Sequence, residues 1–226
     1  MAFNYSPKIV RDSSLVLCLD AANPNSFVSG STVWRDISKG GNNGTLIGGV
    51  TYNSSNNGSL VFNGSTGYVL IPSGLTFTTF MTVDIWFRST KATRHHIVNF
   101  GIQSGANSLN FDINDGRALW IYWNDSGTNS LRFTSPTLSD GVIRNLTFVH
   151  NNNVNTVYIN GSVLTGGSVV GTQTFTSISG NIYLGSSDAA VYTQGNIYNF
   201  KVYNRALSAT EVLQNYNALK GRYGLR

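Results

Sequence analysis

The chain has 226 residues, a net charge of +5 and a single cysteine, Cys18, which excludes a disulfide framework and a cysteine-built zinc site. Charged residues make up 11% and hydrophobic ones 41%, the balance of a folded chain rather than a disordered one. Its basicity reflects a shortage of acids, with Glu211 the only glutamate, and the scattered Lys and Arg form no stripe of the kind nucleic acid requires.

Any chemistry that needs two glutamates is therefore ruled out. The polar, basic segment 1–14 reads as an N-terminal arm, and 15–226 as one domain without linker or repeat. The first apolar run, Leu15–Leu19, ends at Asp20 and is too short for a signal-peptide core or a membrane span. Beyond it the chain breaks into short strands separated by Gly, Asn and Ser. The predicted strands are 15–20, 60–63, 68–71, 81–88, 97–100, 109–113, 118–123, 145–150, 156–160, 182–185 and 197–203. Asn63-Gly64, Asp115-Gly116, Asp140-Gly141 and Asn160-Gly161 supply turns between them. Such spacing describes an all-β, antiparallel two-sheet sandwich and leaves no room for βαβ units.

Within 81–88, Met81, Val83, Ile85 and Phe87 share one face, while Thr82, Asp84, Trp86 and Arg88 share the other. The stretch 88–96 is the densest in cations. It reads as a solvated loop with one strand-edge histidine, and alternatively as an anion-docking patch. His95 and His96, being adjacent, point to opposite faces of a strand and cannot share a metal, and His150 completes no ligand spacing. The nearest acid pair is Asp112 and Asp115, but Asp115 is better used in a turn, leaving Asp112 alone.

In 119–123, Leu119, Ile121 and Trp123 take the core parity and Trp120 and Tyr122 point outward, as Trp86 does on its own strand. Exposed rings beside Asp84, Asn110 and Asp112 would suit sugar stacking and hydroxyl recognition, but cover by a further loop or a partner subunit is the favoured reading. One short helix is signalled near the C-terminus. Ser208 and Glu211 form a capping box, Leu207 and Val212 a hydrophobic staple, and Val212, Leu213, Tyr216 and Leu219 an apolar face closed by Gly221.

Four segments together resemble a known family: 59–69 (SLVFNGSTGYV), 81–87 (MTVDIWF), 157–161 (VYING) and 195–208 (GNIYNFKVYNRALS). They are similar to laminin-G-like jelly rolls of the concanavalin A-like lectin/glucanase superfamily. Segments 15–24, 34–38 and 42–46 resemble the variant found in tailed-phage virion proteins. The resemblance implies a two-sheet jelly roll with a short closing helix and a place on the virion surface, partnered by capsid or other virion proteins. Where the family tends to carry acids, this chain has Asn63, Gly67, Tyr198 and Asn199, so calcium would be weakly held at best, with Asp188 the candidate ligand. The glucanase acid cluster is missing. The expected function is thus a non-enzymatic virion surface protein, a capsid decoration or fibre-associated subunit. The alternative is a lectin module using Trp86, Trp120, Tyr122, Asp84, Asn110 and Asp112 on a polysaccharide. No cofactor, nucleic acid or membrane partner is expected, and homo-oligomers are compatible with either role.

Overall fold

The computed structural model describes residues 7–101, 107–114, 118–123, 129–173, 177–187 and 191–226. The first strands are β1 (Leu15–Asp20), β2 (Val33–Trp34), β3 (Gly44–Ile47), β4 (Thr51–Asn53), β5 (Ser59–Asn63), β6 (Tyr68–Ile71), β7 (Thr76–Phe77), β8 (Phe80–Ser89), β9 (His95–Phe100) and β10 (Leu109–Ile113). After them come β11 (Leu119–Trp123), β12 (Asn129–Phe133), β13 (Arg144–Asn151), β14 (Val154–Ile159), β15 (Ser162–Val163), β16 (Ser168–Val170), β17 (Ile178–Ser179), β18 (Ile182–Leu184) and β19 (Gln194–Tyr203). Every strand expected from the sequence is present. The ones that alternation did not signal are mostly two to four residues long, too short to establish a period, with β12 the exception.

All pairings are antiparallel. One sheet runs β15-β14-β13-β8-β19-β5-β4, with β1 also paired to β19. The other runs β16-β12-β11-β10-β9-β18-β6-β3-β2. The inner faces meet in a core that includes Trp34, Phe62, Phe87, Phe100, Phe111, Trp123, Phe148 and Phe200.

Two bulges redirect side chains. The β9–β10 register slips between Phe111 and Asp112, so Ile97 and Val98 both enter the core. As a result His95 faces inward opposite Ile113, and His96 faces outward opposite Asp112. A second slip in β19, between Ile197 and Asn199, turns both Tyr198 and Asn199 to the outer side.

The outer face of the first sheet is covered by α1 (Ala209–Lys220), which opens on the expected capping box between Ser208 and Glu211. Val212, Asn215, Tyr216 and Leu219 are its buried residues, whereas Leu213, expected on that face, is exposed. The chain then makes one 3-10 turn, and the left-handed residue that ends it is Gly224, not Gly221. Trp86 lies beneath these elements, parallel to the Tyr216 ring at 5.6 Å and 4.6 Å from that of Tyr223.

Residues 7–14, the described part of the expected N-terminal arm, pack against the domain. Val10 is buried against the helix; its N–H donates to Asn215 Oδ1 at 2.7 Å, and its carbonyl accepts from Tyr203 Oη at 3.1 Å. Arg205 gathers Asp12 (2.8 Å) and Glu211 (2.6 Å), joining this segment to the first turn of α1. A hydrogen bond from Ser14, followed by Arg205, holds Asp12 down at about 2, and Arg205 does the same for Glu211.

Deepest under this cover is an ion pair. Lys201 Nζ donates to Asp84 Oδ1 at 2.7 Å, with both side chains fully excluded from solvent. Thr147 Oγ1 donates to the other Asp84 oxygen at 3.1 Å, and Lys201 also donates to Asn199 Oδ1. Removing one partner strands the other charge in a low-dielectric site. We expect Lys201→Met to cost about 3–5 kcal/mol in urea unfolding. Lys201→Met combined with Asp84→Leu should restore most of that loss; a single variant as stable as the parent would contradict the arrangement.

Candidate functional site

Part of the first sheet's outer face is covered by α1, and the outer face of the nine-stranded sheet carries a second group of aromatic and cationic side chains. Here β11 sits between β10 and β12, and Trp120 is flanked by Asp112 on one side and Arg132 on the other. The Arg132 guanidinium lies 4.4 Å from the Trp120 ring centre, a cation–π contact that fixes the half-buried indole. Asp112 is fully buried and accepts from Arg94 Nε at 2.6 Å, while the same guanidinium donates to Tyr122 Oη at 3.3 Å. The Arg94 side chain remains 43% exposed, so this cluster shows cation and aromatic ring to solvent and hides its carboxylate.

Next to it, below the surface, Asn99 donates to Asn110 Oδ1 and Asn110 Nδ2 donates to Ser108 Oγ at 3.3 Å. His96 meets Tyr122 edge-on at 6.1 Å. Further along the same face stand Tyr68 of β6, Tyr183 of β18 and Tyr192, all half-buried, with ring centres 6.1 and 6.4 Å from Tyr68. Lys91 Nζ donates to the carbonyls of Tyr192 (2.6 Å) and Gly64 (3.1 Å), placing a third cation at this end. From β11 to β18 the face spans three strand spacings, roughly 15 Å.

The residues expected to form one aromatic patch are divided between two faces. Trp86 and Asp84 belong to the opposite sheet and are buried, because α1 and the turn after it lie over them. Trp120, Tyr122, Asn110 and Asp112 do share a face, but only Trp120 is accessible: Tyr122 is 4% exposed, and Asn110 and Asp112 are sealed. The stretch expected to be a solvated loop carries both histidines into β9, where each is buried. Asp188 and Asp115 lie outside the described residues. Asn63 spends its amide on the loop it starts, accepting from the N–H groups of Ser65, Thr66 and Gly67 and donating to the Gly48 carbonyl. Tyr68, Tyr183 and Tyr192 were not anticipated. Parity alone would have found two of them, since Tyr68 adjoins core Val69 and Tyr183 lies between core Ile182 and Leu184.

Reactive groupings are tied down. Among the described acids, Asp12, Asp20, Asp84, Asp112, Asp140 and Glu211 each pair with a cation. Asp36 accepts from the N–H groups of Cys18, Ser38 and Asn42. Ser89 Oγ lies 2.7 Å from His95 Nε2, but both are sealed inside the sandwich, and His95 Nδ1 is directed to the Thr93 carbonyl instead of a carboxylate. No group of three or more His, Cys, Asp or Glu side chains placed to hold a metal occurs among the described residues.

This two-sheet architecture defines a lectin-like jelly roll, and residues 63–213 match the concanavalin A-like lectin/glucanases superfamily. The chain belongs to that family. Comparison with curated protein sequences returns no match. Among solved structures it is similar to one of botulinum neurotoxin type C, whose cell entry is described as dependent upon interaction with two ganglioside molecules (TM-score 0.70, 17% identity, 91% of this chain). It is also similar to the receptor-binding domain of a botulinum neurotoxin C/D mosaic serotype (TM-score 0.66, 18% identity, 90% of this chain). A third is Trypanosoma rangeli sialidase in complex with sialic acid (TM-score 0.65, 14% identity, 94% of this chain). The chain spans about half of each neurotoxin chain (51%) and about a third of the sialidase (34%), and at these identities the likeness is one of fold.

Burial lowers the pKa of His95 to about 4 and of His96 to about 3, with Arg94 adding to the effect on His96. Both lie below the unfolded value of about 6.5, so the unfolded chain binds more protons in acid and the fold weakens there. Stability should be full above about pH 6.5 and fall towards pH 4, these two imidazoles contributing at most about 2.7 kcal/mol per pH unit and His150, also lowered by burial, adding to the loss. Urea unfolding at pH 7 and pH 5 measures this, and equal stability at both would show that the imidazoles charge within the fold. The lowered carboxylates, Asp12, Asp140 and Glu211, add their loss only below about pH 4.

Proposed function

We propose that this chain is a non-catalytic, glycan-contacting surface module that takes acidic sugars on the outer face of its nine-stranded sheet. The observation that carries the reading is Trp120, half-exposed and held by Arg132, with Arg94 beside it and its counter-ion Asp112 buried beneath. An indole offers a stacking platform to the apolar face of a pyranose ring, and flanking guanidinium groups favour carboxylate or sulfate substituents. The tyrosines at the far end extend the aromatic surface along the direction a polysaccharide would follow. Pairing of the described acids with cations, and the burial of Ser89 and His95, support binding without turnover.

The setting in this proposal is the surface of a tailed-phage particle, supported by the resemblance of segments 15–24, 34–38 and 42–46 to virion proteins. Binding and display are compatible roles: the helix-covered sheet would serve as the mount, and the face that carries Trp120 would point outward. Immunogold labelling of intact particles would bear out this setting, and absence of the chain from purified particles would remove it.

A glycan array probed with the purified protein tests the binding role. We expect uronic-acid or sialylated glycans to bind in preference to neutral ones. Trp120→Ala should weaken binding by about 1–3 kcal/mol. Because the ring is half-exposed, stability should change by less than the ~3–5 kcal/mol of a core tryptophan deletion. An array without signal, or a Trp120→Ala variant that binds as well as the parent, would overturn the proposal.

A further inference from the structure

From Asn145 to Ser187 the sequence contains no Asp, Glu, Lys or Arg, although the chain average of 11% would place about five there. His150 falls within this stretch, and burial lowers its pKa, keeping it neutral. The fold brings part of the stretch to one side of the molecule. There β15 ends one sheet and β16 ends the other, each paired on one edge only among the described residues. Edge strands are ordinarily guarded by charge, proline or a bulge. These carry Val163 at 52% exposure and Val169 at 51%, without a charged side chain on either strand. Arg132, opposite Ser168 on the neighbouring strand, is turned onto Trp120. The opposite end of the nine-stranded sheet differs, since β2 runs directly into Arg35 and Asp36.

We propose that this neutral edge binds a second copy of the same chain, with β16 pairing antiparallel to its two-fold mate and Val163 and Val169 buried between the copies. Charge selects the occupant. The molecule carries +5 with no ionised side chain in 145–187, so two copies meet here without setting cation against cation. An acidic partner would instead be drawn to the cationic surface elsewhere. A two-fold contact also pairs the open backbone edge with an identical one and needs no other sequence. The proposal is independent of the glycan reading, because Trp120 and Tyr183 lie on the sheet's face and not at its rim.

Sedimentation velocity from low to several hundred micromolar protein is the test. The parent chain should pass from monomer to dimer, with an affinity that salt does not weaken. Val163→Lys with Val169→Lys should weaken dimerisation at least about a hundredfold, by placing like charges across the axis, and leave the melting temperature unchanged. Val28→Lys, at an exposed apolar site near β2 at the opposite end of the nine-stranded sheet, should leave the dimer intact. Amide exchange at 168–170 in the parent should slow with protein concentration. A parent that stays monomeric throughout, a dimer dissolved by salt, or a dimer that survives both lysines would each overturn the proposal.

Discussion

Asp84 and Lys201 face one another across neighbouring strands, on the side of the sheet that in a simple sandwich would be wet. Their burial requires a lid, and much of the molecule's second layer serves as one. The helix brings Tyr216 over Trp86, and the turn after it adds Tyr223. Residues 7–14 close the flank through Val10, Asn215 and Tyr203. Two well-packed apolar residues would serve stability as well as this pair, so its physical effect is to penalise any state in which the helix lifts away.

The part of the first sheet under this cover, with Trp86 and Asp84, is closed to a ligand, and the two sheets differ in consequence. The eight-stranded sheet becomes the supported, three-layered side. The nine-stranded sheet buries its outward residues His96, Asn99, Asn110, Asp112 and Tyr122 as well, so Trp120, Arg132 and Arg94 are what reach the surface around them. Its carboxylate is hidden under Arg94, while its guanidinium groups and rings reach the surface. That asymmetry supports an anion-tolerant stacking surface more than a catalytic cleft, since acid–base chemistry needs a carboxyl group that substrate can reach.

Much of this was legible in the sequence. Alternation located the long strands, and the capping box located the helix to the residue, because both signals are local. Parity correctly sent Leu119, Ile121 and Trp123 inward and Trp120 outward. The grouping of side chains was not legible. Trp86 and Trp120 have the same parity on their own strands, but parity does not reveal which sheet a strand joins, nor that a helix more than a hundred residues later covers one of them. The histidines illustrate a second limit. A bulge that admits both Ile97 and Val98 to the core leaves no trace in the pattern, so a cation-rich stretch that resembles a loop becomes a buried strand. Short edge strands such as β15 and β16 escape for a simpler reason: two or three residues carry no period.

The division of the two outer faces can be measured through the four tryptophans. Trp34, Trp86 and Trp123 are fully buried, and Trp120 alone is partly accessible. Protein labelled with fluorotryptophan, its resonances assigned by single Trp→Phe variants, would be titrated with an acidic polysaccharide and followed by fluorine NMR. The account predicts that the Trp120 resonance shifts progressively while that of Trp86 stays in place. Movement of the Trp86 resonance with Trp120 unchanged would mean that the helix-covered sheet is the contact surface, and would contradict it.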